Sequence, residues 1–243
     1  MDTETLRSTC RNRLLCALSA KDRAVLHPHL RLVALKLRQE LEQPNRPIRR
    51  VYFIEEGVAS VVAPEVDRHS VEIGLIGPEG MTGLMVLLGN HQSPNATFVQ
   101  TAGTALSIDA EALRVALDKS DSLRRILLKY AQAFLVQTTQ TSLANARLTL
   151  EGRLARWLLM TQDRLGRSQI PMTHEFLATM LGVRRAGVTE ALHALEGKRA
   201  IRATRGEIAI LDRDIIEKRV GAFYGVAEAE YERLFSAAPG TIG

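Results

Sequence analysis

Residues 172–196, MTHEFLATMLGVRRAGVTEALHALE, constrain the fold of this 243-residue chain more than any other stretch. Thr173 is a good helix N-cap, because its hydroxyl can accept an orphan backbone N–H of the first turn. Phe176, Leu177, Met180 and Leu181 then supply the buried face of a helix of about two turns. Gly182 suits the left-handed residue that ends such a helix, and Val183 returns the chain to the core. A second helix is expected from Arg184, with Val188, Ala191, Leu192 and Leu195 turned inward. Ala178 is small where two helices crossing steeply must approach. The joint spacing of Ala178, Gly182, Val188 and Ala191 predicts a helix-turn-helix. The competing reading is an αα-corner in an ordinary helical domain.

Two features speak against the plain corner. The outward face of the second helix carries Arg184, Arg185, Thr189, Glu190 and His193. Arginine can clasp O6 and N7 of guanine in the major groove, so this face suits base readout. Beyond it, RAIRATRGEIAILDR at 199–213 reads as two short strands turning at Arg205-Gly206, a wing offering Arg199, Arg202 and Arg205 to phosphate. Thr173, Arg202 and Arg205 are expected to position the domain on the backbone, with Thr189, Glu190 and His193 adjusting specificity. The charge distribution agrees: basic minus acidic residues run 9 − 5 over 1–47, 9 − 10 over 48–147, 13 − 9 over 148–220 and 1 − 3 over 221–243. Double-stranded DNA is the expected partner.

Upstream the pattern differs. Residues 5–27 read as one amphipathic helix. Strand-like runs follow at 31–37, 50–54, 58–63, 71–76, 97–101 and 104–108, separated by glycine and proline corners, as in an antiparallel sandwich or barrel. The run EEGVASVV at 55–62 reads as a turn feeding a strand, and Gly74, Gly77, Gly80 and Gly83 as tight corners. After Asp109 the strand signal stops. Ala110–Leu117 is helical, and a longer helix is expected from Asp121 to about Leu148, striped by Leu123, Ile126, Leu127, Tyr130, Phe134, Leu135 and Thr138. Burying that stripe against the same helix of a second copy is the economical solution, with packing on the chain's own sandwich as the alternative. A further helix is expected at 153–166. The tail, 221–243, is expected to add a last helix with Phe223, Tyr224, Tyr231, Leu234 and Phe235 to pack.

With these segments in place, the whole chain resembles the cyclic-AMP receptor/fumarate-nitrate regulator (Crp/Fnr) family of bacterial transcription factors. The resemblance rests on VYFIEEGVASVV at 51–62, GLIGPEGMTGL at 74–84 and the helix-turn-helix through RGEIAILDR. It implies an α+β architecture: a helical segment at 1–29, a cyclic-nucleotide-binding-like β-roll (an antiparallel jelly roll) at 30–118, a dimerisation helix at 119–148, a winged helix-turn-helix at 149–220 and a helical tail at 221–243. It also implies a homodimer on a palindromic operator, contacting RNA polymerase if it activates. Direct base contact carries over to Arg185. Ala186 and Glu190 depart from a cyclic-AMP-binding member, which has glutamate and arginine there, so the operator sequence does not carry over.

The family's nucleotide-binding members place a Gly-Glu pair on the ribose and an Arg-Ser or Arg-Thr pair on the phosphate. Here Gly83 is kept, Leu84 replaces the glutamate, and Pro94-Asn95 sits near the arginine position. Residues 80–108 contain no arginine or lysine, and burying a phosphate without a cation is costly. A regulator that does not answer to cyclic AMP is therefore expected. A cyclic-nucleotide-responsive regulator, or a β-roll ligand-binding module with a protein-binding helical tail, are the alternatives. The two cysteines, Cys10 and Cys16, are too few for the four-cysteine Fe–S cluster, and His69 and His91 read as solvent-facing rather than as haem or metal ligands. The apolar run 84–88 reads as core rather than as an effector pocket. No cofactor or catalytic motif is expected, and the effector is not readable. The N-terminus alternates charges with leucines and is not expected to be a secretory signal. No apolar run approaches the roughly 18–20 residues that span a bilayer, so a cytoplasmic chain without membrane contact is expected.

Overall fold

The computed structural model describes residues 10–66 and 69–236. Two short helices, α1 (Arg13–Ala17) and α2 (Ala20–Leu26), replace the single N-terminal helix expected from the sequence. The break falls at Ser19, whose hydroxyl accepts from the Asp22 amide at 3.1 Å and starts a new helix. Residues 5–9 of that expected helix lie outside the described residues.

The strands β1 (Arg31–Leu35), β2 (Glu40–Glu42), β3 (Arg50–Val66), β4 (His69–Ile76) and β5 (Ala96–Asp109) form one antiparallel sheet in the order β1-β5-β3-β4, with β2 also on β5. Two pairs of expected strands are each one long strand. The β3–β5 ladder runs from Arg50↔Asp109 to Val62↔Ala96, and its register slips around Gly57 instead of ending there. Gly57 has φ +89°, and a Cβ on it would press on backbone carbonyls of β5. The segment 55–62 is therefore a bulge inside a strand, not a turn before one. Gly74, Gly77 and Gly80 are not positive-φ corners either; added Cβ atoms would strike Phe134, Arg164 and Tyr130 respectively, so they admit close neighbours. Only Gly83 of that set has positive φ, and it starts α3 (Leu84–Leu87), which buries Val86 and Leu87 in the core.

Helices α4 (Ala110–Lys119) and α5 (Asp121–Arg147) follow. The face of α5 carrying Leu123, Leu127, Tyr130 and Phe134 packs into the β-roll core. Each fully buried leucine there contributes roughly 1.5–3 kcal/mol. Gln137 works differently: its amide accepts from the Leu75 N–H at 2.7 Å and donates to the Leu75 carbonyl at 3.1 Å, so it satisfies the open edge of β4. Most of the stripe read from the sequence is thus buried within the chain itself. A different face stays open, with Leu128, Leu135 and Leu143 at 38%, 65% and 45% exposure.

The C-terminal half contains α6 (Leu150–Leu165), β6 (Gln169–Pro171), α7 (His174–Leu181), α8 (Arg185–Gly197), β7 (Ile201–Thr204), β8 (Glu207–Ile210) and α9 (Arg213–Val220) around a second core. The small sheet runs β6-β8-β7, adding a strand to the expected two-stranded wing. A last helix, α10 (Val226–Ser236), does not join this core. It crosses back to α5, where Lys129 donates to the Leu234 carbonyl and Gln132 to Glu230, and Tyr231 and Leu234 enter the β-roll core. Phe235 stacks on Tyr231, whereas Phe223 and Tyr224 stay with the second core.

Candidate nucleic-acid interface

The turn between α7 and α8 forms as the residues dictate. Thr173 caps α7, accepting from the Phe176 amide at 3.2 Å. Gly182 takes φ +62°, ψ +42° and closes the helix. Val188, Ala191, Leu192 and Leu195 are buried, so the opposite face of α8 is presented outward. Phe176, half-buried, packs against the helix-turn-helix core as expected and in addition meets Phe98 of the β-roll edge-on, ring centroids 5.9 Å apart.

On the outward face, Arg184, Arg185, Glu190 and His193 are exposed. Thr189 is half-buried, its hydroxyl 3.2 Å from His174 Nδ1 and 3.2 Å from the Arg185 carbonyl. Arg185, Thr189 and His193 follow at four-residue steps along one side of the helix. Arg202 and Arg205 are exposed on the wing, whose tip turns through Gly206 at φ +82°. Among the described residues, the side chains of Arg184, Arg185, Arg202 and Arg205 make no hydrogen bond or ion pair. Other arginines of this half are committed inside it: Arg213 to Asp163 and Glu217, and Arg219 to Glu151. The N-terminus of α8 has no side-chain cap and no acidic residue in its first turn. Its free amides and positive dipole end therefore favour an anion beside Arg184 and Arg185.

This half is docked on the β-roll through contacts the sequence did not disclose. The Trp157 indole of α6 donates to Glu72 Oε1 of β4 at 2.8 Å. Burial pushes the Glu72 carboxyl up to about 8, against the neighbouring Ser60 hydroxyl, the Trp157 hydrogen bond and the charges of Arg164 and Arg156. Arg164 of α6 pairs with Glu79 at 2.8 Å. Gly182 abuts Val71, where a Cβ would lie 2.6 Å from the valine methyl. Ser60, Glu72, Gln100 and Thr101 are polar strand residues with no distinguishing pattern in the sequence, which is why nothing marked them as a contact face. Glu72 Oε2, Gln100 Nε2, Thr101 Oγ1 and Thr161 Oγ1 are buried in this seam without partners.

Beside Gly83 this chain buries a carboxylate. Glu42 is buried and accepts from the Gly83 amide at 2.5 Å, at the start of α3. Its pKa is raised by burial, which outweighs the bonds from Gly83, Thr97 and Thr82. Pro94 is exposed and Leu84 half-buried. His91 is exposed; the side chain of His69 lies outside the described residues. Among the described residues no three His, Cys, Asp or Glu side chains gather as a metal site. Both cysteines are free, and burial, with Glu55 nearby, pushes the Cys10 thiol up to about 12, which suppresses the thiolate. No helix of the described residues is long and apolar enough to cross a membrane.

Two family models match this geometry: a cyclic nucleotide-binding domain over residues 33–120 and a Crp-like helix-turn-helix domain over residues 152–219. The chain belongs to the Crp/Fnr family of transcription regulators. Solved structures share its fold. A transcriptional regulator of that family from Eubacterium rectale superposes with TM-score 0.69 at 16% identity, covering 86% of this chain and 98% of its own. FixK2 from Bradyrhizobium japonicum gives 0.69 at 18%, covering 79% and 98%. The c-di-GMP-responsive regulator CLP from Xanthomonas campestris gives 0.66 at 18%, covering 79% and 99%. A search of curated protein sequences returns no match. This regulator thus combines a β-roll, a long helix and a helix-turn-helix of DNA-binding type, and its α10 lies beyond the residues matched by either family model.

Proposed function

We propose that the chain is a sequence-specific DNA-binding regulator, cytoplasmic and homodimeric, that binds a palindromic operator without cyclic AMP. The observation carrying this reading is the outward face of α8, with free arginines at an uncapped helix N-terminus and two more on the wing. Arg184 and Arg185 reach base edges or the adjacent phosphate; Thr189, Glu190 and His193 tune the sequence read; Thr173, Arg202 and Arg205 hold the backbone. A second copy fits the open face of α5. Leu128, Ala131, Leu135, Thr138 and Ser142 alternate at three- and four-residue steps, the spacing of a two-stranded coiled coil. Such a dimer sets the two recognition helices about one DNA turn, roughly 34–36 Å, apart. If the regulator activates, RNA polymerase is its further partner.

Independence of cyclic AMP is supported by Glu42, whose carboxylate already accepts the amide of Gly83, and by the lack of any arginine or lysine from 80 to 108. The reading of α10 as a free protein-binding tail is disfavoured because that helix is packed on α5. Binding to random and genomic DNA across a salt series tests the proposal. A dimer with several phosphate contacts loses affinity steeply with salt. A flat, weak response in both DNAs would instead fit a β-roll module that does not act on DNA.

A further inference from the structure

Two thiols that the DNA reading leaves unused meet beside α1. Asn12 caps that helix, its Oδ1 accepting from the Leu15 amide at 3.1 Å, while its Nδ2 donates to the carbonyls of Ile54 and Gly80, both at 2.8 Å. The cap thus fixes the chain entering α1 against the β-roll. Cys16, one turn on from Asn12, is carried back over that entry, and its Sγ donates to the Cys10 carbonyl at 3.3 Å. Cys16 is exposed and Cys10 half-buried, and both line one cavity of about 440 Å³ together with Leu15, Leu18 and Leu30. The Cys10 thiol faces the Glu55 carboxylate of β3, with Sγ 3.6 Å from Oε1, and has the Asn12 carbonyl at 3.8 Å as its other acceptor. The same carboxylate accepts the amides of Arg11 at 2.6 Å and Asn12 at 3.4 Å, so it is held in place beside the sulfur.

An accessible thiol next to a covered one that stays protonated beside a carboxylate divides the two halves of one reaction. The accessible sulfur meets the oxidant, and the covered sulfur closes on it. We infer that Cys10 and Cys16 form a reversible disulfide when the protein meets a hydroperoxide. The Cys16 sulfur attacks the terminal oxygen of the hydroperoxide. The O–O bond breaks, the Cys16 proton leaves with the alcohol or water released, and Cys16 becomes a sulfenic acid. The Cys10 sulfur then attacks the Cys16 sulfur. The S–S bond forms as the S–O bond breaks; Glu55 takes the Cys10 proton, and the departing hydroxide recovers it to leave as water. The pair of thiols is oxidised by two electrons and the hydroperoxide is reduced by the same two. Glu55 is a positioning residue and proton acceptor for the second step, and it has no part in the first.

The test uses the full chain without DNA, so it stands apart from the DNA reading. Reduced protein is treated with hydrogen peroxide or with cumene hydroperoxide, and intact mass and tryptic peptides are followed with time. The expected product has lost two hydrogen atoms, links the peptides 8–11 and 14–21 within one chain, and returns to free thiols with dithiothreitol. Cys10→Ser should stop at a sulfenic acid on Cys16 that dimedone traps, whereas Cys16→Ser should leave Cys10 as a thiol. Glu55→Gln should slow closure of the disulfide by roughly tenfold or more, as loss of a general base does, while the sulfenic acid forms at the wild-type rate. The proposal is overturned if neither hydroperoxide links the two peptides, if the link joins two copies instead of one chain, if Cys10 is oxidised as fast in Cys16→Ser as in wild type, or if Glu55→Gln closes the bond at the wild-type rate in a folded protein.

Discussion

Arg185 and Arg205 differ in what surrounds them, and that difference separates their expected roles. Arg185 lies on the first turn of α8, one turn ahead of Thr189 and two ahead of His193, and in the proposed complex it is the side chain assigned to base edges. Arg185→Ala is expected to lose about 1–3 kcal/mol of discrimination at one base pair, read by competition between operator variants. Arg205 sits at the wing tip, so Arg205→Ala should weaken all sequences alike and reduce the salt slope by about 1. Equal losses on operator and random DNA for both variants would remove that division. Gly182 is constrained twice, by φ +62° and by contact with Val71. Gly182→Ala is expected to destabilise the chain by about 1–2 kcal/mol in denaturant unfolding. Much of this was legible in the sequence, because a cap, a left-handed glycine and a period-3.6 apolar face are local signals. The unpartnered atoms of the docking seam were not: Gln100, Thr101 and Thr161 look like any surface residues until the fold brings them together.

At the scale of elements, the decisive contact is α6 against β4. Its buried seam is polar and incompletely satisfied, and each unpartnered buried group costs about 1–3 kcal/mol. Glu72 makes docking of the DNA-binding half pH-dependent. Its docked pKa, about 8, is raised above the ordinary carboxylate value, so docking takes up a proton. The stabilisation is full below the ordinary carboxylate range and is lost as pH rises toward 8 and through it. Trp157, the only tryptophan, donates directly to Glu72 and reports the contact. Its fluorescence should shift toward a wetter environment as pH rises to 9, and Glu72→Gln should abolish that shift; an unchanged titration in the mutant would contradict the mechanism. The long strands β3 and β5 were only half legible, because Gly57 and Gly103 imitate chain ends locally while the ladder between them runs on.

For the whole molecule, the apolar pattern of α5 proved ambiguous for a physical reason: a 27-residue helix has more than one face to bury. Leu123, Leu127, Tyr130 and Phe134 are covered by the β-roll and Lys129 and Gln132 by α10, which leaves the face of Leu135 open, the face the proposed dimer uses. Sequence periodicity reports how much apolar surface a helix carries, not what covers it. Leu135→Glu is expected to give a folded monomer in sedimentation and, by losing simultaneous engagement of two half-sites, to lower operator affinity by roughly a hundredfold or more. An unaltered dimer would move the interface elsewhere. The central claim, a dimer that reads DNA through α8 with no cyclic nucleotide, is tested most directly by selecting host genomic fragments with the purified protein and no added ligand. Wild type and Arg185→Ala are compared side by side. A palindromic motif enriched by wild type and lost in the mutant is the predicted result; no enrichment, or the same motif from both proteins, would contradict it.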